Sequence, residues 1–127
     1  MKALTLRPQW AWLVVNGHKD IENRSWRTRL RGRIWIHASC NRVTRAEYEE
    51  FTGICRKRRI KQFPERDGFQ TGGIVGSVEI VDCVDQSRSF WFSGEHGFVL
   101  KSARKTRFKP MKGKLGFFDP VGVEGVR

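Results

Sequence analysis

Residues 17–24 read GHKDIENR, the stretch of the chain that says most about its fold. Stripped to its spacing it is Gly-x-Lys-x-x-Glu-x-Arg, with Gly17, Lys19, Glu22 and Arg24 at the fixed positions. Such a cluster fits a turn that leads into a charged strand, and it also fits one wall of a ligand site. If the segment is extended, Glu22, Arg24 and Trp26 share one face of the strand, because side chains alternate with a period of two.

The flanking residues predict a first strand, a helix and then two strands. Residues 2–6 alternate as a strand, and Pro8 and Gly17 mark the start and the stop of a helix. Residues 20–26 and 33–39 resemble strands that pair with each other around the basic turn RTRLRG. In the second of these strands the core face is formed by three residues, Ile34, Ile36 and Ala38.

The second half of the chain predicts one further helix and several strands. Thr44 and Glu47 form a capping box that opens a helix over residues 45–59, and residues 60–72 form a loop. Strands are predicted at three places, namely residues 72–84, 97–102 and a segment within 112–118. The fold class is therefore mixed α/β and mostly β, a small barrel with flanking helices. A length of 127 residues predicts a single domain over residues 1–127.

The charge predicts a polyanionic partner. Twenty-five Lys and Arg against thirteen Asp and Glu give a net charge of +12. Basic residues form three blocks: RTRLRGR (residues 27–33), RKRRIK (residues 56–61) and residues 101–114. Arg27, Arg29, Arg31 and Arg33 recur at every second position, so they point the same way if the segment is extended. RNA or single-stranded nucleic acid is the simplest partner for this pattern.

The sequence lacks the features of membrane, secreted and metal-binding proteins. No apolar run is long enough to span a membrane, and the N-terminus lacks a secretory signal, which predicts a cytoplasmic location without membrane binding. The three histidines and three cysteines lack zinc-like spacing, so we expect no metal and no cofactor. The sequence leaves the oligomeric state open.

The opening stretch is similar to the GxKxxExR signature of the ASCH domain, a family of the PUA-like superfamily. Other stretches resemble bacterial and phage-type ASCH proteins in the same order along the chain: LRPQWAWLVVNGHKDIENRSW, RGRIWIHAS, GGIVGSVEIVDC, GFVL and KGKLGFF. Relatives commonly read Arg-Gln-Pro-Trp where this chain has Arg7-Pro8-Gln9-Trp10, an exchange expected to shift the helix start by one residue. The resemblance implies a PUA-like β-barrel with a cleft beside the signature that faces RNA or a nucleotide.

The resemblance also implies two activities besides binding. Some ASCH-like proteins are amidohydrolases that deacylate a modified cytidine with the motif lysine and a threonine nucleophile, which falls where this chain has Glu22. A carboxylate cannot repeat that acyl transfer. Others are similar to ribonucleases in which the lysine is essential, and Lys19 is retained here. The candidate catalytic residues are therefore Lys19 and Glu22.

Each candidate residue has a structural alternative. Lys19 can contact a phosphate or act as a base, or it can be a solvated turn residue. Glu22 and Arg24 can orient a ligand or form a salt bridge that serves folding alone. Trp12, Trp26 and Trp35 are candidates for base stacking, although a place in the core is commoner for each. His37 is a candidate acid or base, and a hydrogen-bonded structural histidine is its alternative.

The leading hypothesis is a protein that binds RNA or single-stranded nucleic acid, with a cleft that accepts one nucleotide or modified base. The alternative is an enzyme that uses the same cleft, either a metal-independent ribonuclease or a modified-nucleoside amidohydrolase. A third alternative is a protein-interaction adaptor. The candidate nucleic-acid-binding residues are Arg7, Trp12, Lys19, Arg24, Trp26, Arg29, Arg31, Arg33, His37 and Ser39.

Overall fold

The computed structural model describes residues 1–123 and contains two helices and six strands. In chain order the elements are β1 (Ala3–Leu6), α1 (Pro8–Val15), β2 (Ile21–Arg24), β3 (Gly32–Ala38), α2 (Arg45–Lys57), β4 (Gly73–Val84), β5 (His96–Pro110) and β6 (Phe117–Phe118). The strands form one sheet in the order β2-β5-β4-β3-β1-β6. The predicted class, mostly β with flanking helices, is confirmed.

The sheet curls so that its two ends approach each other. Among the strand pairs of residues 1–123, only β1 and β3 are parallel, and α1 lies in the connection between them. The Trp26 ring, just beyond β2 at one end of the sheet, packs edge-on against Phe117 of β6 at the other end, with 5.5 Å between ring centroids. The curled sheet therefore encloses a core, which α1 covers with Ala11, Val14 and Val15.

Helix α1 lies unusually close to the sheet at Gly76. A Cβ at this position would lie 2.3 Å from the carbonyl oxygen of Arg104 and 2.7 Å from Cγ1 of Val15. Both distances are too short for a real contact, so only glycine permits this approach. The glycine fixes the place of α1 over strands β4 and β5.

The predicted hairpin of β2 with β3 is wrong. β3 pairs along its whole length with β4, from Gly32 opposite Ile80 to Ala38 opposite Gly73, and its other edge pairs with β1. Because both edges of β3 are occupied, β2 pairs instead with the start of β5. Residues 25–31 connect β2 and β3 without strand structure.

The helix ends follow local signals. Thr44 accepts a hydrogen bond from the backbone N–H of Glu47, and the Glu47 side chain accepts one from the N–H of Thr44, which confirms the capping box. Helix α2 ends at Lys57, two residues earlier than predicted, because Arg59 adopts a left-handed φ of 58°. Helix α1 ends at Val15 with Asn16 as its C-cap, and Gly17 follows with φ of 80° as the predicted stop.

Strand β5 is much longer than predicted. Residues 97–102 were expected as a strand, but pairing with β4 continues to Pro110 opposite Gly73. Lysines and arginines fill the second half of β5, so its hydrophobicity is low although it continues to pair with β4, with irregularities in the register. The predicted loop over residues 60–72 is confirmed.

Candidate functional site

The signature residues form a chain of ion pairs with Glu22 in the middle. One carboxylate oxygen of Glu22 lies 3.5 Å from Nζ of Lys19, and the other lies 3.0 Å from Nε of Arg24. All three side chains are largely buried, with exposed fractions of 7%, 12% and 21% for Lys19, Glu22 and Arg24. Both of the alternatives for this motif, a salt bridge and a pre-organised site, are compatible with this geometry.

Lys19 owes its burial to the turn that ends α1. The N–H groups of His18 and Lys19 both donate to the carbonyl oxygen of Leu13, and Gly17 supplies the left-handed residue that the turn needs. The Lys19 ammonium donates to the carbonyl oxygen of Ile21 and faces Glu22. Burial lowers the pKa of Lys19, and the negative charge of Glu22 opposes this effect.

Arg24 connects the two ends of the curled sheet. One terminal nitrogen of its guanidinium donates to the carbonyl oxygen of Thr5 in β1, at 2.8 Å. The guanidinium carbon lies 5.9 Å from the centroid of Trp26, which itself packs against Phe98 and Phe117. Arg24 and Trp26 therefore hold β2 against β1 and β6.

A cavity of about 360 Å³ opens beside the Lys19–Glu22 pair. β2 contributes Glu22 and Asn23, and the turn before it contributes Lys19. The opposite walls come from both helices and from the loop between β4 and β5, through Trp10, Glu50, Ile54, Phe90, Trp91, Phe92 and Ser93. Arg24 and Trp26 lie outside this lining. The cavity thus combines one buried cation and two carboxylates with several aromatic rings.

Asn23 and Asp20 hold the β4–β5 loop in place. The amide nitrogen of the Asn23 side chain donates to the carbonyl oxygen of Trp91, at 2.8 Å, and its oxygen accepts from the N–H of Ser93, at 2.9 Å. Asp20 accepts a hydrogen bond from the hydroxyl of Ser89, at 2.7 Å. The signature segment therefore builds one wall of the cavity and also positions the opposite wall.

Four other predicted residues lie away from this cavity. Trp12 packs edge-on against Phe51 and lines a different cavity on the other side of α1. His37 is buried, with Nδ1 bonded to the hydroxyl of Thr5 and Nε2 to the carbonyl oxygen of Met111. Arg7 donates to Glu47 at 2.7 Å, and Ser39 has a buried hydroxyl. His37 thus has the environment of a structural histidine.

The row of arginines is only partly extended. Arg33 lies in β3 and donates to the hydroxyl of Ser77 and the carbonyl oxygen of Ser102. Arg29 and Arg31 are exposed in the segment before β3, where Arg31 lies 3.7 Å from Asp82. Trp35, another stacking candidate, is buried in a small cluster with Ala3, Ile74 and Phe118.

Sequence reasoning missed most of the cavity. It did not single out Trp10, Asn23, Glu50 or Phe92 as site residues. Trp91 belongs to the same core cluster as Phe51 and also lines the cavity. These residues come from four separate elements, so only the tertiary structure brings them together. Of these residues, only Asn23 could have been predicted from the sequence, because it lies inside the signature.

No group of three His, Cys, Asp or Glu side chains within residues 1–123 has the geometry of a metal site. Neither helix of the described chain has the length and apolar character that crossing a membrane requires.

Residues 4–114 match the ASCH domain, and the chain belongs to this family. It is 35% identical to activating signal cointegrator 1 of Mus musculus and 34% identical to that of Homo sapiens, in each case over 85 residues, or 67% of this chain. These residues amount to only 15% of either relative.

Two solved structures of mutant ZmASCH proteins from Zymomonas mobilis are similar to the chain, each with a TM-score of 0.49. The sequence identities are 19% and 17%, the alignments cover 87% and 86% of this chain, and they cover 73% and 74% of the respective ZmASCH chains.

Proposed function

We propose that this ASCH domain binds RNA or single-stranded nucleic acid and takes one base into the cavity beside Lys19 and Glu22. The observation that carries the proposal is the cavity itself, which sets a buried lysine–glutamate pair against aromatic walls on a chain of net charge +12. Aromatic faces stack on any base, and each stacked base contributes about 1–3 kcal/mol.

The charges of the cavity favour a base over a phosphate. Glu22 and Glu50 supply two carboxylates against the single ammonium of Lys19. A phosphate would be repelled by both carboxylates, whereas an exocyclic amino group would donate to one of them. Lys19 donates to the carbonyl oxygen of Ile21 and forms an ion pair with Glu22 at 3.5 Å, which leaves at least one of its three N–H donors for a base carbonyl oxygen. We therefore infer a preference for bases that carry an amino group.

The phosphates of the same strand would lie outside the cavity, on the basic surface. Arg29 is exposed, and no carboxylate pairs with it among residues 1–123. The second half of β5 adds exposed lysines and arginines. Each phosphate contact on a single strand adds about 0.7 to the slope of log Kd against the logarithm of the salt concentration. The affinity would then come mostly from the surface and the base preference from the cavity.

A second candidate function uses the same cavity for catalysis. The burial that lowers the pKa of Lys19 raises the fraction of neutral amine, the form that accepts a proton. A metal-independent ribonuclease or a modified-nucleoside amidohydrolase would fit this feature, with Glu22 keeping the amine in place.

The assignment to the bacterial and phage-type subgroup and the cytoplasmic location also stay predictions.

The test is a binding screen with single-stranded RNA, single-stranded DNA and duplexes, each at two or more salt concentrations, with product analysis in the same tubes. We expect single strands to bind with an affinity that falls steeply with salt. An affinity that does not change between low and high salt contradicts the proposal, and the appearance of products would favour the enzyme.

A further inference from the structure

A second cavity, of about 270 Å³, lies on the other side of α1 from the first. Its walls are Trp12 and Val15 of α1, Val75 of β4, Lys105 and Thr106 of β5, and the loop that contains Pro64. The volume is close to the lower end of the range of about 300–1,000 Å³ for small-molecule sites.

The polar groups of this cavity differ from those of the first. Lys105 supplies a cation, and no Asp or Glu contributes to the lining among the described residues. Lys105 is an exposed residue of this lining. Two carboxylates line the first cavity together with Lys19. No carboxylate of the described residues lines the second cavity, so Lys105 can bind an anion there. A phosphate is therefore favoured here.

Thr106 adds a second polar group. Its hydroxyl is buried and has no hydrogen-bond partner among residues 1–123. Buried hydroxyls nearly always have a partner, because an unpaired one costs about 1–3 kcal/mol. A ligand group that enters the cavity can supply the missing hydrogen bond.

The two cavities flank one helix, and each contains one tryptophan of α1 and one lysine. Trp10 and Lys19 belong to the first, and Trp12 and Lys105 belong to the second. We propose that the second cavity is a nucleotide subsite, in which a base lies against Trp12 and its phosphate contacts Lys105. This inference rests on the proposed function, because the nucleotide would belong to the strand whose other base enters the first cavity.

The experiment is a titration of the isotope-labelled full chain, followed by NMR, with cytidine, cytidine 5′-monophosphate and a single-stranded RNA octamer. The Trp12 indole and the side-chain amides of Asn16 and Gln70 report on the second cavity. The Trp10 indole and the Asn23 amide report on the first. Cytidine and its monophosphate differ only in the phosphate, so comparing them tests the phosphate contact. Comparing the monophosphate with the octamer distinguishes the binding of a free nucleotide from the binding of a strand.

We expect the signals of the second cavity to shift with the monophosphate and the octamer, and much less with cytidine. Lys105→Gln should weaken monophosphate binding at this cavity roughly five- to tenfold, whereas Lys101→Gln, the loss of an exposed lysine outside the cavity on the same strand, should change it less than twofold. Thr106→Val keeps the shape of the side chain and should weaken binding about threefold without lowering the melting temperature.

Three results would overturn the inference. If only the signals of the first cavity shift, the second subsite does not exist and the proposed function stands. If Lys105→Gln and Lys101→Gln have equal effects, the lysine contributes only general charge. If the octamer binds without moving the signals of either cavity, both the subsite and the proposed base site are wrong.

Discussion

Nε of Arg24 lies 3.0 Å from one carboxylate oxygen of Glu22, and the other oxygen of the same carboxylate faces Lys19 at 3.5 Å. Glu22 thus joins a cation that holds the curled sheet together to a cation that lines a cavity. The signature connects strands of the sheet at its arginine end and lines the cavity at its lysine end.

Glu22→Gln should destabilise the fold by about 3 kcal/mol, because it leaves two largely buried cations without their counter-charge. The free energy of unfolding, measured by urea denaturation, checks this. Glu49→Gln is the matched control, since Glu49 is exposed on α2 and should have little effect. Equal stabilities for the two variants would show that the Glu22 ion pairs contribute nothing to folding.

Stability should depend on pH through Lys19. The folded chain releases the Lys19 proton at a lower pH than the unfolded chain, because burial lowers the pKa of this lysine from its ordinary value of 10.5. Between the lowered pKa and 10.5 the unfolded state therefore binds more protons, and stability rises with pH. The melting temperature of the wild type relative to Lys19→Met should rise across this window. A difference that stays constant would mean that folding does not shift the pKa of Lys19, and one that falls would mean that folding raises it, so either result contradicts the prediction.

Asn23→Asp should loosen the β4–β5 loop. The aspartate loses the donor that contacts the carbonyl oxygen of Trp91 and places a negative charge beside it. We expect faster hydrogen exchange at the Ser93 amide and weaker base discrimination, whereas Asn41→Asp, at an exposed position, should change neither despite the same change of charge. If Ser93 is equally protected in both variants, Asn23 does not hold the loop.

Arg29→Ala should reduce the salt dependence of RNA binding by about 0.7 in the log–log slope, the contribution of one phosphate on a single strand. Arg42→Ala is the comparison, because Arg42 is exposed but already paired with Asp67 at 2.9 Å. Fluorescence titrations over a range of salt concentrations give both slopes. Identical slopes for Arg29→Ala and the wild type would remove Arg29 from the interface.

The sequence predicts the positions of helices and loops better than it predicts which strands pair with each other. The capping box at Thr44 and the loop over residues 60–72 depend on nearby residues and were predicted correctly. The hairpin of β2 with β3 was wrong because β4, which begins at Gly73, far along the chain from Ala38 at the end of β3, occupies the edge of β3 instead. The extension of β5 was missed because its charged side chains conceal a strand whose backbone pairs with β4.

In the candidate site, too, the sequence predicts contacts between nearby residues better than contacts between distant ones. The sequence predicts Lys19 and Glu22 as neighbours because the signature keeps them within a few residues of each other, and the structure places them in one ion pair. Trp26 also belongs to that segment, but it packs against Phe98 and Phe117 and not in the cavity. Period-two geometry predicts which side chains share a face, but it does not predict whether that face meets a cavity or the opposite end of the sheet.

The central claim, that the cavity beside Lys19 selects a base, is tested most directly by Lys19→Met, which removes the charge and keeps most of the side-chain length. Bulk affinity for single-stranded RNA and competition by cytidine against uridine are measured in parallel for this variant, for Lys101→Met and for the wild type. We expect Lys19→Met to remain folded and to keep most of its bulk affinity, since one ammonium among twenty-five basic side chains contributes little to it. It should lose the preference for cytidine, which Lys101→Met should retain. A folded Lys19→Met protein that discriminates between the two nucleosides as the wild type does would contradict the account and leave the signature as a structural turn.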